Sequence, residues 1–149
     1  MNLGINNVIG ADVKDKFVLF RPDVNSPIDE NKKIVGLNRL KKTVPTLRYL
    51  MENGAKTAII AHQGDTLDYS NLISMAEHAK ILGELVGKEI PYIDDVCGDA
   101  AIEKIKSLKS GEAIFLGNLR YLTEEVSTFE KDVKLTADEM KSTYLVRRL

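Results

Sequence analysis

Four short blocks of the chain are apolar without interruption: FVLF at 17–20, TAIIA at 57–61, IPYI at 90–93 and AIFL at 113–116. Continuous apolar runs, as opposed to alternating ones, mark strands covered on both faces of a parallel sheet. Between the blocks the apolar period changes to three and four. Leu37, Leu40, Val44, Leu47 and Met51 predict a helix over 37–53 that Gly54 can close. Leu72, Met75, Ala76, Ala79, Leu82 and the pair Leu85 and Val86 predict a second over 71–86, stopped by Gly87. Ile102, Ile105 and Leu108 predict a third that ends at Gly111. Strands and helices in alternation give βαβ crossovers, so the pattern predicts an α/β three-layer sandwich around a parallel sheet, with residues 1–149 forming one domain.

The last part of the pattern is different. Thr136 with Glu139 makes a capping box that opens a final helix bearing Met140, Tyr144, Leu145 and Leu149. That helix ends in LVRRL, with no glycine, proline or further strand, and residues 122–149 read as a terminal helical segment whose covering elements are missing. The expectation is a fragment. If the chain does stop there, apolar surface around Tyr144 and Leu145 is expected to be exposed and to invite self-association.

In an open, Rossmann-like parallel sheet, ligands lie beyond the carboxyl ends of the strands. RPDVN follows the first apolar block, HQGD the second and GNLRY the fourth. Pro22 removes a ladder donor and biases Arg21 towards an extended shape, so the first strand can end near Arg21 without an orphaned partner. If extension continues, Arg21, Asp23 and Asn25 share one face. A guanidinium, a carboxylate and an amide on one face suit a small polyol bearing acid or phosphate groups; an ion pair between Asp23 and Arg21 at a solvated strand end is the plainer reading. Arg39, in the first turns of the helix at 37–53, adds a cation where backbone N–H groups also favour negative charge. Arg21, Arg39, His62 and Arg120 are therefore expected around one anion-binding pocket. His78, beside Glu77 on a helix, is expected at the surface.

Composition narrows the function classes. Lys and Arg total 21 against 22 Asp and Glu, a formal net charge of −1, so no global basic field exists to hold a nucleic acid. One cysteine, Cys97, and two histidines make a poor metal set and no internal disulfide, which suits a reducing, cytoplasmic setting. No run of apolar residues is long enough to span a bilayer. GELVGKE at 83–89 has part of a phosphate loop but lacks its spacing and its Ser or Thr, and it ends a helix where such a loop opens one. No residue of the chain is expected to bind a nucleotide cofactor or a metal.

VLFRPDVNSP, NRLKKTVPTLRYLMENGAK, AIIAHQG and IKSLKSGEAIFLGNLRY, in this order, resemble the N-terminal domain of the phosphoglycerate kinase family, the HQG form being similar to its archaeal branch. The resemblance covers about residues 17–121. It implies a glycolytic phosphotransferase that moves a phosphoryl group between 1,3-bisphosphoglycerate and ADP, with 3-phosphoglycerate bound by this half. Mg-ATP or Mg-ADP would be held by a C-terminal half that this chain lacks, and the chain alone would be inactive. Position by position, Arg21, Asp23 and Asn25 would contact the glycerate, His62 and Arg120 its 3-phosphate, and Arg39, in the catalytic role, the transferring phosphoryl group. Asp65 and Thr66 stand where most members have Arg-Pro, and Gly117 where a Glu is usual. "VGLN" precedes Arg39 where an acidic residue is frequent.

Two other readings fit the residues. A stand-alone, non-catalytic anion-binding or regulatory α/β module would make Asp65 a feature of its own. A phosphoacceptor receiver domain would use Asp23, Asp94 and Asp95, but it lacks a lysine at the end of a later strand.

Overall fold

The computed structural model describes Gly4 and residues 6–65, 69–127 and 134–149. Its sheet has three parallel strands in the order β1 (Phe17–Phe20), β2 (Lys56–Ala61) and β3 (Ala113–Asn118). Phe17 pairs with Lys56 and Phe20 with Ile59, while Thr57 pairs with Ala113 and Ile59 with Phe115. The IPYI block is not a full strand. It makes a single parallel bridge, Tyr92 to Phe115, and lies along the free edge of β3 through Phe115 N–H to Pro91, Ile93 N–H to Phe115 and Gly117 N–H to Asp95. Pro91, without an N–H, leaves too few donors there for a regular ladder.

Six helices complete the described fold: α1 (Asn38–Glu52), α2 (Ala76–Val86), α3 (Asp99–Ser107), α4 (Thr123–Ser127), α5 (Ala137–Lys141) and α6 (Tyr144–Arg148). α2 starts five residues later than its apolar period suggests, because Tyr69–Asn71 form a 3-10 turn and the Ser74 hydroxyl accepts the Ala76 N–H at 3.2 Å. Gly87, with φ +80, ends it as expected.

The alternation of β2 divides the core. Ile59 and Ala61 face Leu40, Leu47 and Met51 of α1, Ala79 and Leu82 of α2, and Phe115 of β3. Ala58 and Ile60 face the opposite layer, with Ala101 of α3, Ile114 and Leu116 of β3, and Leu145 of α6. Helices on both faces of a parallel sheet make the expected α/β sandwich. β1 departs from expectation: it lies at the sheet edge with Phe17 56% and Leu19 48% exposed, so its continuous apolar run is covered on one face only.

The last segment also departs. The capping box at Thr136 and Glu139 is present, with the Glu139 N–H reaching the Thr136 hydroxyl and the Thr136 N–H reaching the Glu139 carboxylate. It opens α5, and α6 follows as a separate turn. Glu124 accepts the first two N–H groups of α6, from Tyr144 and Leu145, each at 2.8 Å. That anchorage directs Leu145 into the core at 6% exposure, whereas Tyr144 stays 51% exposed. The expected exposed patch is thus halved, because the carboxylate satisfies the helix start and the dipole at once.

Phe115 is fully buried between α1, α2 and β2. Phe115→Ala is expected to lower unfolding free energy by about 3–5 kcal/mol, and Leu19→Ser by less than about 0.5 kcal/mol. Urea denaturation of the two variants checks the contrast.

Candidate functional site

Three segments leave the carboxyl edge of the sheet, and two side-chain amides tie them together. Gln63, two residues beyond β2, is buried; its Nε2 donates to the Ser26 carbonyl and its Oε1 accepts the Ser26 N–H, both at 2.9 Å. Asn118, the last residue of β3, donates from Nδ2 to the carbonyls of Gln63 and Ile73, both at 2.9 Å. Its Oδ1 accepts the Arg120 N–H at 3.1 Å, capping the 3-10 turn Leu119–Tyr121 that carries Arg120. The three exits are therefore bonded to one another by buried groups whose donors and acceptors are matched. An unmade bond there would cost more than a made one gains.

His78 closes this network from below. Contrary to expectation it is fully buried, with Nε2 3.0 Å from Gln63 Oε1. Because that oxygen already accepts from Ser26, the imidazole donates to it, which fixes the Nε2–H tautomer. Burial pushes the His78 pKa down from 6.5 to about 4, against a smaller rise from the Val24 backbone. The signal was in the period: Met75, His78, Ala79 and Leu82 form one helical face, and only the neighbouring Glu77 suggested solvent.

The first exit keeps the expected alternation. Val24 and Ser26 are buried, while Arg21 and Asp23 are exposed and Asn25 is half-buried. Asp23 bonds Arg39 and not Arg21. Burial pushes the Asp23 carboxyl up. The hydrogen bond and charge of Arg39, with lesser help from the Asn25 N–H and His62, outweigh this and hold it below the usual carboxylate range. Arg39 lies in the first turn of α1, where no acidic residue is present, so Asp23 offsets a cation that the helix dipole disfavours. Pro22, Asp23, Arg39 and Lys42 line an open hollow of about 510 Å³.

Asn25 is engaged with the second exit. Its amide donates to the Gly64 carbonyl at 3.3 Å and accepts the Gly64 N–H at 3.2 Å. Gly64 has φ +98, and a Cβ there would lie 2.6 Å from the Asn71 carbonyl oxygen, so only glycine fits between Gln63 and Asp65. At the third exit, Arg120 is buried and its Nη1 lies 3.5 Å from Asp65 Oδ1. The segment 62–65 is thus where the first and third exits meet: Asp23 senses His62, Asn25 holds Gly64, and Arg120 faces Asp65.

Arg21 turns elsewhere. Both terminal nitrogens of its guanidinium meet the carboxylate of Glu125, whose side chain is fully buried in α4. Neither Glu125 nor the amides of Gln63 and Asn118 stood out in the sequence. A carboxylate inside TEEV and an amide inside HQG have no period to betray burial. At Gly117 a Cβ would lie 3.1 Å from the Asp95 carbonyl carbon, so a side chain there would require the Asp95 backbone to give by a few tenths of an ångström. Thr66 lies outside the described residues. Among the described residues no group of three His, Cys, Asp or Glu could hold a metal ion, and no helix is long and apolar enough to cross a membrane.

A family model described as phosphoglycerate kinase matches residues 8–146. The chain is 43% identical over 137 residues to the phosphoglycerate kinase of Pyrococcus horikoshii, covering 91% of this chain and 31% of that protein. It is 38% identical over 149 residues to that of Sulfurisphaera tokodaii, covering 99% of this chain and 34% of the relative. The crystal structure of the Pyrococcus horikoshii enzyme superposes with a TM-score of 0.86 at 38% identity, covering 97% of this chain and 34% of that one. The phosphoglycerate kinase structure from Coxiella burnetii gives a TM-score of 0.62 at 26% identity, over 76% of this chain and 28% of that one. The chain spans about a third of the length of these relatives. None of them is named as a stand-alone binding module.

The buried histidine makes a prediction about acid. Its folded pKa of about 4 lies below the ordinary 6.5, so the unfolded chain binds this proton first. Stability supplied by the neutral imidazole is complete above pH 6.5 and is lost as pH falls towards 4, by up to about 3 kcal/mol at about 1.4 kcal/mol per pKa unit. Urea unfolding of the wild type and His78→Gln between these pH values should show a shallower slope for the variant.

Proposed function

The chain belongs to the phosphoglycerate kinase family, and from that premise we propose that it is the N-terminal, phosphoglycerate-binding part of such an enzyme. Supporting this is that Asn25 bonds Gly64, Arg120 faces Asp65, and Asp23, paired with Arg39, senses His62, all at the sheet edge where an α/β fold receives its ligand. Asp23 and Asn25 read the hydroxyl and carboxyl groups of the glycerate. His62 and Arg120 take its 3-phosphate. Arg21, steadied by Glu125, adds positive potential at the strand end.

Arg39 is the catalytic candidate. Phosphoryl transfer requires positioning and neutralisation of spreading negative charge, and a guanidinium at a helix start supplies both. When ligand arrives, the Asp23 pairing keeps Arg39 extended over the hollow it lines. The family's reaction passes the phosphoryl group between 1,3-bisphosphoglycerate and ADP with magnesium. The described exit residues do not fit a metal ion, and we assign Mg-ATP and Mg-ADP to sequence beyond this chain. By the same reading the chain alone binds substrate without turnover, acts in glycolysis and gluconeogenesis, and resides in the cytoplasm.

Isothermal titration with 3-phosphoglycerate is the test. The wild type should bind in a one-to-one ratio, and His62→Ala should weaken binding roughly tenfold to hundredfold, the loss of one charge-assisted bond. Absence of any heat with the folded wild type would overturn the proposal.

A further inference from the structure

Each of the three exit arginines is held by a carboxylate, and the three pairs differ in how readily the carboxylate can leave. Glu125 is fully buried and meets two nitrogens of Arg21, so withdrawing Arg21 would strand a buried carboxylate. Asp23 and Arg39 are both about half exposed and bonded closely. The third pair is asymmetric. The Arg120 side chain is 5% exposed and the Asp65 side chain 84%. Their separation of 3.5 Å exceeds the 2.7–2.9 Å usual for a charge-assisted hydrogen bond.

The backbone explains the asymmetry. Gly64 is pinned by both ends of the Asn25 amide and by its approach to Asn71, so the Cα of Asp65 is fixed beside Arg120 while its side chain reaches back from solvent. On the other side, the Asn118 cap fixes the turn that carries Arg120. A rigid, buried guanidinium therefore faces an anion that is tethered but solvated. A phosphate approaching Arg120 meets a like charge on the same donor edge, and the exposed partner is the one that can swing away.

We propose that Asp65 is an affinity-setting residue, an internal anion standing in at Arg120 for the ligand phosphate, which has to displace it on binding. The inference depends on the phosphoglycerate reading above. It makes the chain a weaker phosphate binder than the same pocket with a neutral residue at 65. Unbound, Arg120 is never left as a buried cation without a counter-charge.

Titration of 3-phosphoglycerate into the wild type, Asp65→Asn, Asp65→Glu and Asp12→Asn tests this, with urea unfolding to verify that all four fold. Asp12 is an exposed acid ahead of β1, at the opposite edge of the sheet, and controls for a change in overall charge. Asp65→Asn should tighten binding roughly threefold to tenfold, with the other two variants within about twofold of the wild type. Equal affinity of Asp65→Asn and wild type, or equal tightening by Asp12→Asn, would overturn the inference while leaving the functional reading intact. Binding by none of the four would overturn both.

Discussion

The paired amides of Gln63 and Asn118 are the constraint on which this sheet edge depends. A parallel sheet aligns strands only up to their last ladder bond, and beyond it each exit is free to diverge. Here a buried glutamine takes both backbone groups of Ser26, and a buried asparagine binds the backbone of Gln63, Ile73 and Arg120. These are neutral groups in a dry setting, where every donor left unmatched costs about 1–3 kcal/mol. Satisfying all of them specifies one arrangement of three loops. His78 belongs to the same network and has to remain neutral to serve it, which links the stability of this edge to pH.

Above that neutral floor the charges are arranged in pairs. Arg39 with Asp23, Arg21 with Glu125 and Arg120 with Asp65 give each guanidinium at this edge a counter-charge of its own. The overall formal charge of −1 is compatible with the proposed anion site, because such a site needs fixed arginines over a few ångströms and not a field. The carboxylates differ in exposure, from fully buried Glu125 to exposed Asp65, and in the proposed site Glu125 holds an arginine in place, Asp23 orients one and Asp65 yields.

The layered fold was legible because burial leaves a period. The blocks at 17–20, 57–61 and 113–116 became strands, and the helices around Leu40, Leu82 and Ala101 followed the spacing of their apolar faces. The misreadings have physical causes. IPYI has strand composition, but proline deprives it of a donor, and it becomes a bridge. β1 reads as doubly covered because its run is apolar, yet an apolar run cannot disclose that its strand sits at an edge. The chemistry-bearing residues were found through their place after strands, which fixes an edge but not a partner. Hence Asp23 was matched with the wrong arginine, and the buried partners Glu125, Gln63 and Asn118 went unseen, since hydrogen-bond satisfaction is a property of three dimensions.

The central claim is that the exits of β1, β2 and β3, with the start of α1, form one site for a phosphorylated acid. The most direct measurement is a chemical-shift titration of the nitrogen-15-labelled chain with 3-phosphoglycerate. The account predicts that amides at 21–25, 38–39, 62–65 and 118–120 move together along one saturation curve. Shifts confined to the opposite edge, around Asp12, Gly54 and Ser110, or separate curves for the separate exits, would contradict it.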